Sequence, residues 1–341
     1  DEDEDEDEDD DTPGGGDTDD DDDGDTPDDD DDGDGVVVPP ASPSVRVGTP
    51  GADVLTGAAG ADTIIGHEGD DVLTGAGGAD IIRGGTGDDF IDGGDGRDVI
   101  FAGAGNDDVF GGADADMVYG EAGDDRILAQ GGDDLVNAGA GNDTVFGGEG
   151  NDLFVAEAGD GNDTYYGDDM NGGVGIDTLD MASITAAITA DLGTGYMMRG
   201  SVSSTQTGTD TLWNVENIVT GSGNDTITAS AAVNIMDGGA GNDTFRFLSA
   251  ADANGDTILG FQPGDRLDLS AVDANGATNG NQTFTLVTGA FTDRGQLLVT
   301  YETRADGDYT VVSGNTTGNV DADFKFSIKG THNLAQSDFN L

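Results

Sequence analysis

From Gly48 onward an apolar residue recurs every ninth position, and an aspartate precedes each one by two. Read in nines, the chain runs GTPGADVLT, GAAGADTII, GHEGDDVLT, GAGGADIIR, GGTGDDFID, GGDGRDVIF, and so on to GGEGNDLFV, which ends at Val155. Twelve copies follow one another without a slip. The eighth position is apolar in all twelve, from Leu55 and Ile64 to Val145 and Phe154. The sixth is Asp in all twelve: Asp53, Asp62, Asp71, Asp80, Asp89, Asp98, Asp107, Asp116, Asp125, Asp134, Asp143 and Asp152. The fourth is Gly in eleven (Gly51, Gly60, Gly69, Gly78, Gly87, Gly96, Gly105, Gly123, Gly132, Gly141 and Gly150), with Asp114 the exception. A fixed short period of this kind marks stacked repeats that bury a shared core.

Looser copies follow. GNDTYY at 161–166 carries Asp163 two residues out of phase, and GGVGIDTLD at 172–180 is another full match, with Asp177 at its sixth position. Residues 181–219 are longer and less regular, although Gly208, Asp210 and Leu212 keep the spacing. TGSGNDTIT, ASAAVNIMD and GGAGNDTFR then span 220–246 with Asp225, Asn234 and Asp243 at the sixth position. From 247 to 341 the period is gone. Alternating runs such as Phe284–Val287, Leu297–Val299 and Phe324–Ile328, separated by Gly, Asn and Asp, predict a small antiparallel β domain. The expected domains are an acidic linker over 1–40, a roll over 48–166, a second, degenerate roll over 167–246, and the C-terminal β domain over 247–341.

Nine residues suffice for one very short strand, its central apolar side chain facing inward, and one glycine-rich turn with positive φ values. Two repeats make a coil of eighteen residues. At about 4.8 Å per stacked strand, six coils form a rod on the order of 30 Å long. The core is a thin apolar column, so burial alone holds it weakly. The period also stacks the sixth-position carboxylates along two edges: Asp53, Asp71, Asp89, Asp107, Asp125 and Asp143 on one, the alternate set on the other. Carboxylates about 5 Å apart repel by roughly 0.8 kcal/mol per neighbour in water, and by several-fold more where desolvated. A hard divalent cation between turns reverses that sign. Asp oxygens with turn carbonyls suit calcium, which takes six or more oxygen ligands, better than magnesium, which needs a tight octahedron.

Composition sharpens the same reading. Seventy-two Asp and Glu stand against eleven Lys and Arg, for a formal charge of −61 over 341 residues. Cations are therefore fitting partners, and nucleic acid and anionic membrane are not. The absence of Cys and the presence of only two His argue against zinc and copper and exclude disulfides. No run is long and apolar enough for a transmembrane helix, and no N-terminal basic-then-apolar signal is visible. Twenty-four of the first 34 residues are Asp or Glu, a composition expected to remain disordered. Asp19, Asp21, Asp23, Gly24 and Asp30 fall at EF-hand offsets, a coincidence in a tract so rich in Asp that has no flanking helices.

The repeat GGxGxDxUx, with GGAGNDTFR at 238–246 as a close instance, resembles the RTX, or hemolysin-type calcium-binding, family. The resemblance implies a right-handed parallel β-roll with several calcium ions held between its turns. Carried onto this chain, it names as ligands the twelve aspartates above together with Asp163, Asp177, Asp225 and Asp243. The turn backbone is carried by Gly60, Gly69, Gly78, Gly87, Gly96, Gly105, Gly123, Gly132, Gly141 and Gly150. DTILGFQPGDRLDLSAVDAN at 256–275 and the ending SDFNL resemble the domain that closes serralysin-type secreted proteases, which implies a C-terminal signal read by type I secretion machinery. Departures carry expectations of their own. Asp114 distorts one site, and Ala102, Ala129 and Ala138 are mild changes at the first position. Asn234 supplies no calcium ligand, so the site between Asp225 and Asp243 survives while the opposite edge lies empty.

The leading functional expectation is a secreted module, free or at the cell surface, that stays unfolded at cytosolic calcium and folds outside. There it supports export and stabilises or displays an attached upstream domain. An enzyme is the second reading: the tail of a hydrolase or polysaccharide-modifying protein whose catalytic domain is absent here. This stretch itself is expected to be non-enzymatic. Its His67 and His332 form no His-Glu-x-x-His, and no Gly-x-Ser-x-Gly elbow occurs. The third reading is a surface-layer, adhesive or matrix protein. Trp213 and Tyr165–Tyr166 are expected to pack in the core or a cap rather than form a ligand platform.

Overall fold

The computed structural model describes residues 43–168, 175–194, 198–277 and 281–341. The acidic tract and its EF-hand-like spacing lie outside these residues. Each repeat contributes a strand, such as Thr63–Glu68 and Val72–Gly77. Alternate repeats pair in parallel at a register of eighteen, Ile64 with Ile82 and Leu73 with Ile91. Two sheets of fifteen and fourteen strands result among the described residues. The fold is an all-β solenoid of stacked parallel coils, a parallel β-roll, with one 3-10 turn at Gln336–Asp338.

Most strands of the regular region run six residues where the period predicts three, because pairing resumes beyond the first position of the next repeat. His67 pairs with Gly85, for example. The turn then needs left-handed backbone at its second and fourth positions, as at Gly85 (φ 126°) and Gly87 (φ 129°). His67, Ala76, Glu121 and Gln130 hold the same conformation at the second position, and Asp114 holds it at the fourth.

The eighth-position side chains form the predicted column. Ile64, Leu73, Ile82, Ile91, Ile100, Val109, Val118, Ile127, Val136, Val145 and Phe154 are fully buried. One such side chain contributes about 1.5–3 kcal/mol. Ordering even three residues of backbone costs more than that, at about 1–2 kcal/mol each. Among the described residues the first rung of this column is Arg46, exposed and in register with Ile64.

Residues 181–219 continue the sheet rather than form a separate lobe. Ile188–Thr194 and Arg199–Ser204 make an antiparallel hairpin set between Gly208–Trp213 and Thr226–Thr228 in the second sheet. The coil also persists past the last recognisable repeat, through Thr257–Leu259 and Arg266–Asp268. The antiparallel strands Gln296–Arg304, Gly307–Asn315 and Phe324–Lys329 follow. Phe324–Lys329 then returns to pair with Thr257–Leu259, and Phe339–Asn340 pairs with Arg266–Asp268. This end has a thicker core, with Phe245, Phe247, Phe324 and Phe326 all buried and the rings of Phe247 and Phe326 stacked at 4.8 Å.

Candidate metal centre

The sixth-position aspartates sit where each turn meets the strand that follows, and eighteen-residue stacking places them in two columns. Within a column each carboxylate accepts the backbone N–H of the aspartate one coil earlier. Asp71 N–H donates to Asp89 Oδ1 at 2.8 Å, Asp98 to Asp116 at 2.8 Å and Asp125 to Asp143 at 2.8 Å. The two irregular copies join the same columns: Asp143 donates to Asp163, and Asp152 to Asp177. The carboxylates of Asp80, Asp89, Asp98, Asp107, Asp116, Asp125, Asp134, Asp143 and Asp152 lie on residues at most 3% exposed.

Only one oxygen of each is used. The Oδ2 atoms of Asp71, Asp80, Asp89, Asp98, Asp107, Asp116, Asp125, Asp134, Asp143, Asp152, Asp177, Asp225 and Asp243 are buried with no hydrogen-bond donor. A buried acceptor left unpaired costs about 1–3 kcal/mol, more when it carries charge. What borders these atoms is more oxygen. A β-carbon built on Gly111 would lie 2.8 Å from Asp116 Oδ2 and 2.6 Å from the carbonyl oxygen of Ala129. On Gly93 it would lie 2.6 Å from Asp98 Oδ2 and 2.3 Å from the carbonyl oxygen of Gly111. Small cradles lined by acceptors fit a hard cation; the Gly at nine of the twelve first positions keeps them open, whereas Ala102, Ala129 and Ala138 place a β-carbon there. The fourth-position glycines shape the turn, but the carbonyls beside Oδ2 come from first-position residues, a signal readable in the run of Gly and Ala there. Among the described residues no three His, Asp or Glu side chains converge as a metal-binding group. Backbone carbonyls are therefore needed to complete any ligand set.

Electrostatics agree with the geometry. Burial, opposed by the backbone donor and increased by neighbouring carboxylates, pushes Asp89, Asp107 and Asp134 up to about 6. It pushes Asp98, Asp143 and Asp152 to about 7, and Asp116, Asp125 and Asp177 to about 8. At the N-terminal end the carboxylates are satisfied by backbone instead: Asp53 Oδ2 accepts from Thr49, and Asp62 Oδ2 from Ala58.

Two departures from the repeat are accommodated locally. Asp114 does not disturb its site: it takes the left-handed conformation of the glycine it replaces (φ 73°), and Asp116 keeps its 2.8 Å bonds on both sides. The edge opposite Asp225 and Asp243 is filled by Asn234. Its Nδ2 donates to the carbonyl of Glu216 at 2.7 Å and its Oδ1 accepts from Ser230. An amide there satisfies without an ion what an aspartate would leave open.

Four acidic residues in the columns were not among the expected ligands. Asp210 and Asp256 present buried, unpartnered Oδ2 atoms. Glu216 and Asp265 accept the N–H groups of Asp177 and Asp243. Their signal is an acidic residue two positions before an inward apolar one (Leu212, Ile218, Ile258, Leu267), without the glycines of a full repeat. Tyr165 is buried in the core, as expected. Tyr166 instead stacks on the outer face between Phe146 at 4.5 Å and Trp213 at 6.0 Å, and Arg199 lies 5.4 Å over Trp213. With both faces of Tyr166 occupied, this ladder stabilises the sheet. His67 lies exposed near the end of the strand Thr63–Glu68.

Comparison with known families agrees with this architecture. The family described as RTX calcium-binding nonapeptide repeat (4 copies) matches residues 47–82, 83–118 and 119–154. Peptidase M10 serralysin C terminal matches residues 171–341. No curated protein matches the chain. Among solved structures, the AlgE6R3 subunit of the Azotobacter vinelandii mannuronan C5-epimerase aligns at 20% identity, with a TM-score of 0.30. The alignment covers 57% of this chain and 80% of that one.

Proposed function

Because the chain belongs to the family described as Peptidase M10 serralysin C terminal, whose model matches residues 171–341, and carries RTX calcium-binding nonapeptide repeats over 47–154, we propose that it is a calcium-folded module of a type I secreted, extracellular protein. Repeats of the RTX family bind calcium at multiple sites. Here the proposed side-chain ligands are the sixth-position aspartates from Asp53 to Asp152 with Asp163, Asp177, Asp225 and Asp243, joined by Asp210 and Asp256. Turn carbonyls complete the coordination. The observation that carries this reading is the double column of buried, unpartnered Oδ2 atoms.

The mechanism follows from charge. Without calcium, folding brings carboxylates into columns against their mutual repulsion and leaves acceptors unpaired. With calcium, the same atoms become ligands, so binding free energy is folding free energy. Extracellular modules bind at about 0.1–1 mM, far above cytosolic calcium. The chain would then pass the secretion machinery unfolded and fold outside, where it stabilises or displays an attached domain. We assign no catalysis to this stretch, whose matched families are a repeat and a C-terminal domain.

Far-UV circular dichroism of the full chain, titrated with calcium from a chelated start beside a magnesium control, tests this. A cooperative gain of β signal in sub-millimolar to millimolar calcium, absent with magnesium, is expected. A chain fully folded in chelator would overturn the proposal.

A further inference from the structure

Carboxylates are spread unevenly over the roll. The twelve repeats hold twenty-three of them, twelve at the sixth position and eleven elsewhere. Alternate repeats feed opposite sheets, and the seventh and ninth residues flank each buried eighth residue on the outer face. In the fifteen-stranded sheet six repeats place twelve side chains there, of which nine are apolar and none is acidic. The three others are Thr63, Arg83 and Asn137. The fourteen-stranded sheet differs: its six repeats place six apolar side chains among twelve and include Asp92, Asp108 and Arg126. No side chain of the acid-free face is buried, and Ile81 and Met117 are 41% and 40% exposed. Val45–Val47 extends it by a seventh strand, with both valines exposed. A contiguous apolar surface of this size marks an interaction site.

Size and charge both select a second copy of the chain as the occupant. Seven strands spaced by about 4.8 Å span about 29 Å, and six residues at about 3.3 Å span about 20 Å. The face therefore offers roughly 600 Å², or roughly 1,200 Å² between two copies, where specific protein–protein interfaces begin. Two copies meeting at their turn edges would bring carboxylates together, which net charge of one sign opposes. At this face they meet without one. Its middle is already ordered: the Arg83 guanidinium lies 4.2 Å over the Phe101 ring, and Phe101 stacks on Tyr119 at 5.1 Å. The strands of Arg83 and Tyr119 flank that of Phe101 on its two sides. A two-fold axis through the Phe101 strand thus sets Arg83 of each copy opposite Tyr119 of the other, so that the cation meets an aromatic ring.

We propose that the outer face of the fifteen-stranded sheet, from Val45–Val47 to Leu153–Val155, is a homodimer interface at which two rolls pack face to face about a two-fold axis. It rests on the calcium reading of the columns, because the face exists only in the folded roll, and adds an assembly state to it. The opposite sheet, with Asp92 and Asp108 on its outer face, stays outside the contact.

The test is sedimentation velocity of the full chain in calcium and in chelator, at about 0.15 M salt, where charges beyond about 8 Å are screened. Far-UV ellipticity is read on the same samples. In calcium the mass is expected to double from 34.3 kDa, with a dissociation constant in the micromolar range; in chelator it should stay that of the monomer. Met117→Glu is expected to raise that constant at least about thirty-fold with ellipticity unchanged, and Ile81→Glu gives a second reading on the same face. Val72→Glu is the matched control and should leave the dimer intact. It is also a seventh-position residue after a sixth-position aspartate, 39% exposed, but it lies on the other sheet. A calcium-folded chain that stays monomeric at about 100 μM, well above a micromolar constant, would overturn the proposal. So would a dimer that Val72→Glu breaks and the other two variants spare. Monomers that float with phosphatidylcholine vesicles would also overturn it and give the face to a lipid surface. Failure of the underlying calcium reading would look different: no ellipticity difference between calcium and chelator.

Discussion

Replacing Asp89 by Asn should move stability in opposite directions with and without calcium. Asp89 is 2% exposed and stands between Asp71 and Asp107 in one column. With coils spaced by about 4.8 Å, each neighbouring pair of charges costs about 0.9 kcal/mol in bulk water and about 3.5 kcal/mol at an effective dielectric of about 20. Its pKa of about 6 means Asp89 is largely ionised at pH 7.5, so both repulsions act there. Asparagine removes them and places an N–H₂ group where Asp89 Oδ2 and the carbonyl of Ala102 border the same point. The chain already holds one sixth-position amide, Asn234, whose Nδ2 donates to the backbone carbonyl of Glu216. Allowing for screening, we expect roughly 2–4 kcal/mol of stabilisation in chelator. In calcium the same change removes a charged ligand, so the calcium midpoint should rise by about ten-fold. The assay is far-UV circular dichroism in two arms: folding driven by an osmolyte in chelator, and folding driven by calcium. If Asp89→Asn shifts both arms in the same direction, electrostatic conflict in the columns is not what calcium relieves.

Other predictions follow from the same geometry. In chelator, acidification from pH 8 to 5 should increase β signal. Asp98, Asp116, Asp125, Asp143, Asp152 and Asp177 have folded pKa values raised to about 7–8, so their contribution is full below the unfolded value near 4 and is lost as pH rises through 7–8. A loss of β signal over that window would contradict the assigned burial. Gln130→Gly should stabilise the calcium-loaded roll by about 1 kcal/mol, read as a raised melting temperature, because Gln130 holds φ at 82° where glycine pays no steric penalty. Ile127→Ala, at a fully buried column position, should cost about 2–5 kcal/mol and also raise the calcium midpoint, since folding and binding are one equilibrium. An unchanged midpoint would separate the two processes. Phe339→Ala should destabilise the C-terminal end by about 3 kcal/mol in thermal melts, because this residue, 6% exposed, pairs with Leu267 in the terminal rung.

The periodic part of this protein was legible residue by residue because its long-range contacts repeat at one fixed separation. A spacing of nine puts every Asp at the start of a strand and every eighth residue inside, and a spacing of eighteen decides which carboxylates share a column. Asp71, Asp89 and Asp107 could therefore be grouped before any coordinate was known. What the spacing does not contain is pairing at other separations. The hairpin of residues 188–204 enters the sheet beside Gly208–Trp213, and Phe339–Asn340 closes on Arg266–Asp268 some seventy residues earlier. Only the assembled sheet edge selects those partners. For the same reason Glu216, Asp256 and Asp265 entered the columns unannounced: they have the acid and the inward apolar residue, but not the fourth-position glycine that Asp210 keeps in Gly208. Nor does composition tell which carboxylate oxygen is paired. Sequence specified that the acids stack. Tertiary structure decided that one oxygen of each would take a backbone N–H and the other would be buried facing carbonyls, because that choice depends on how successive coils lie on one another.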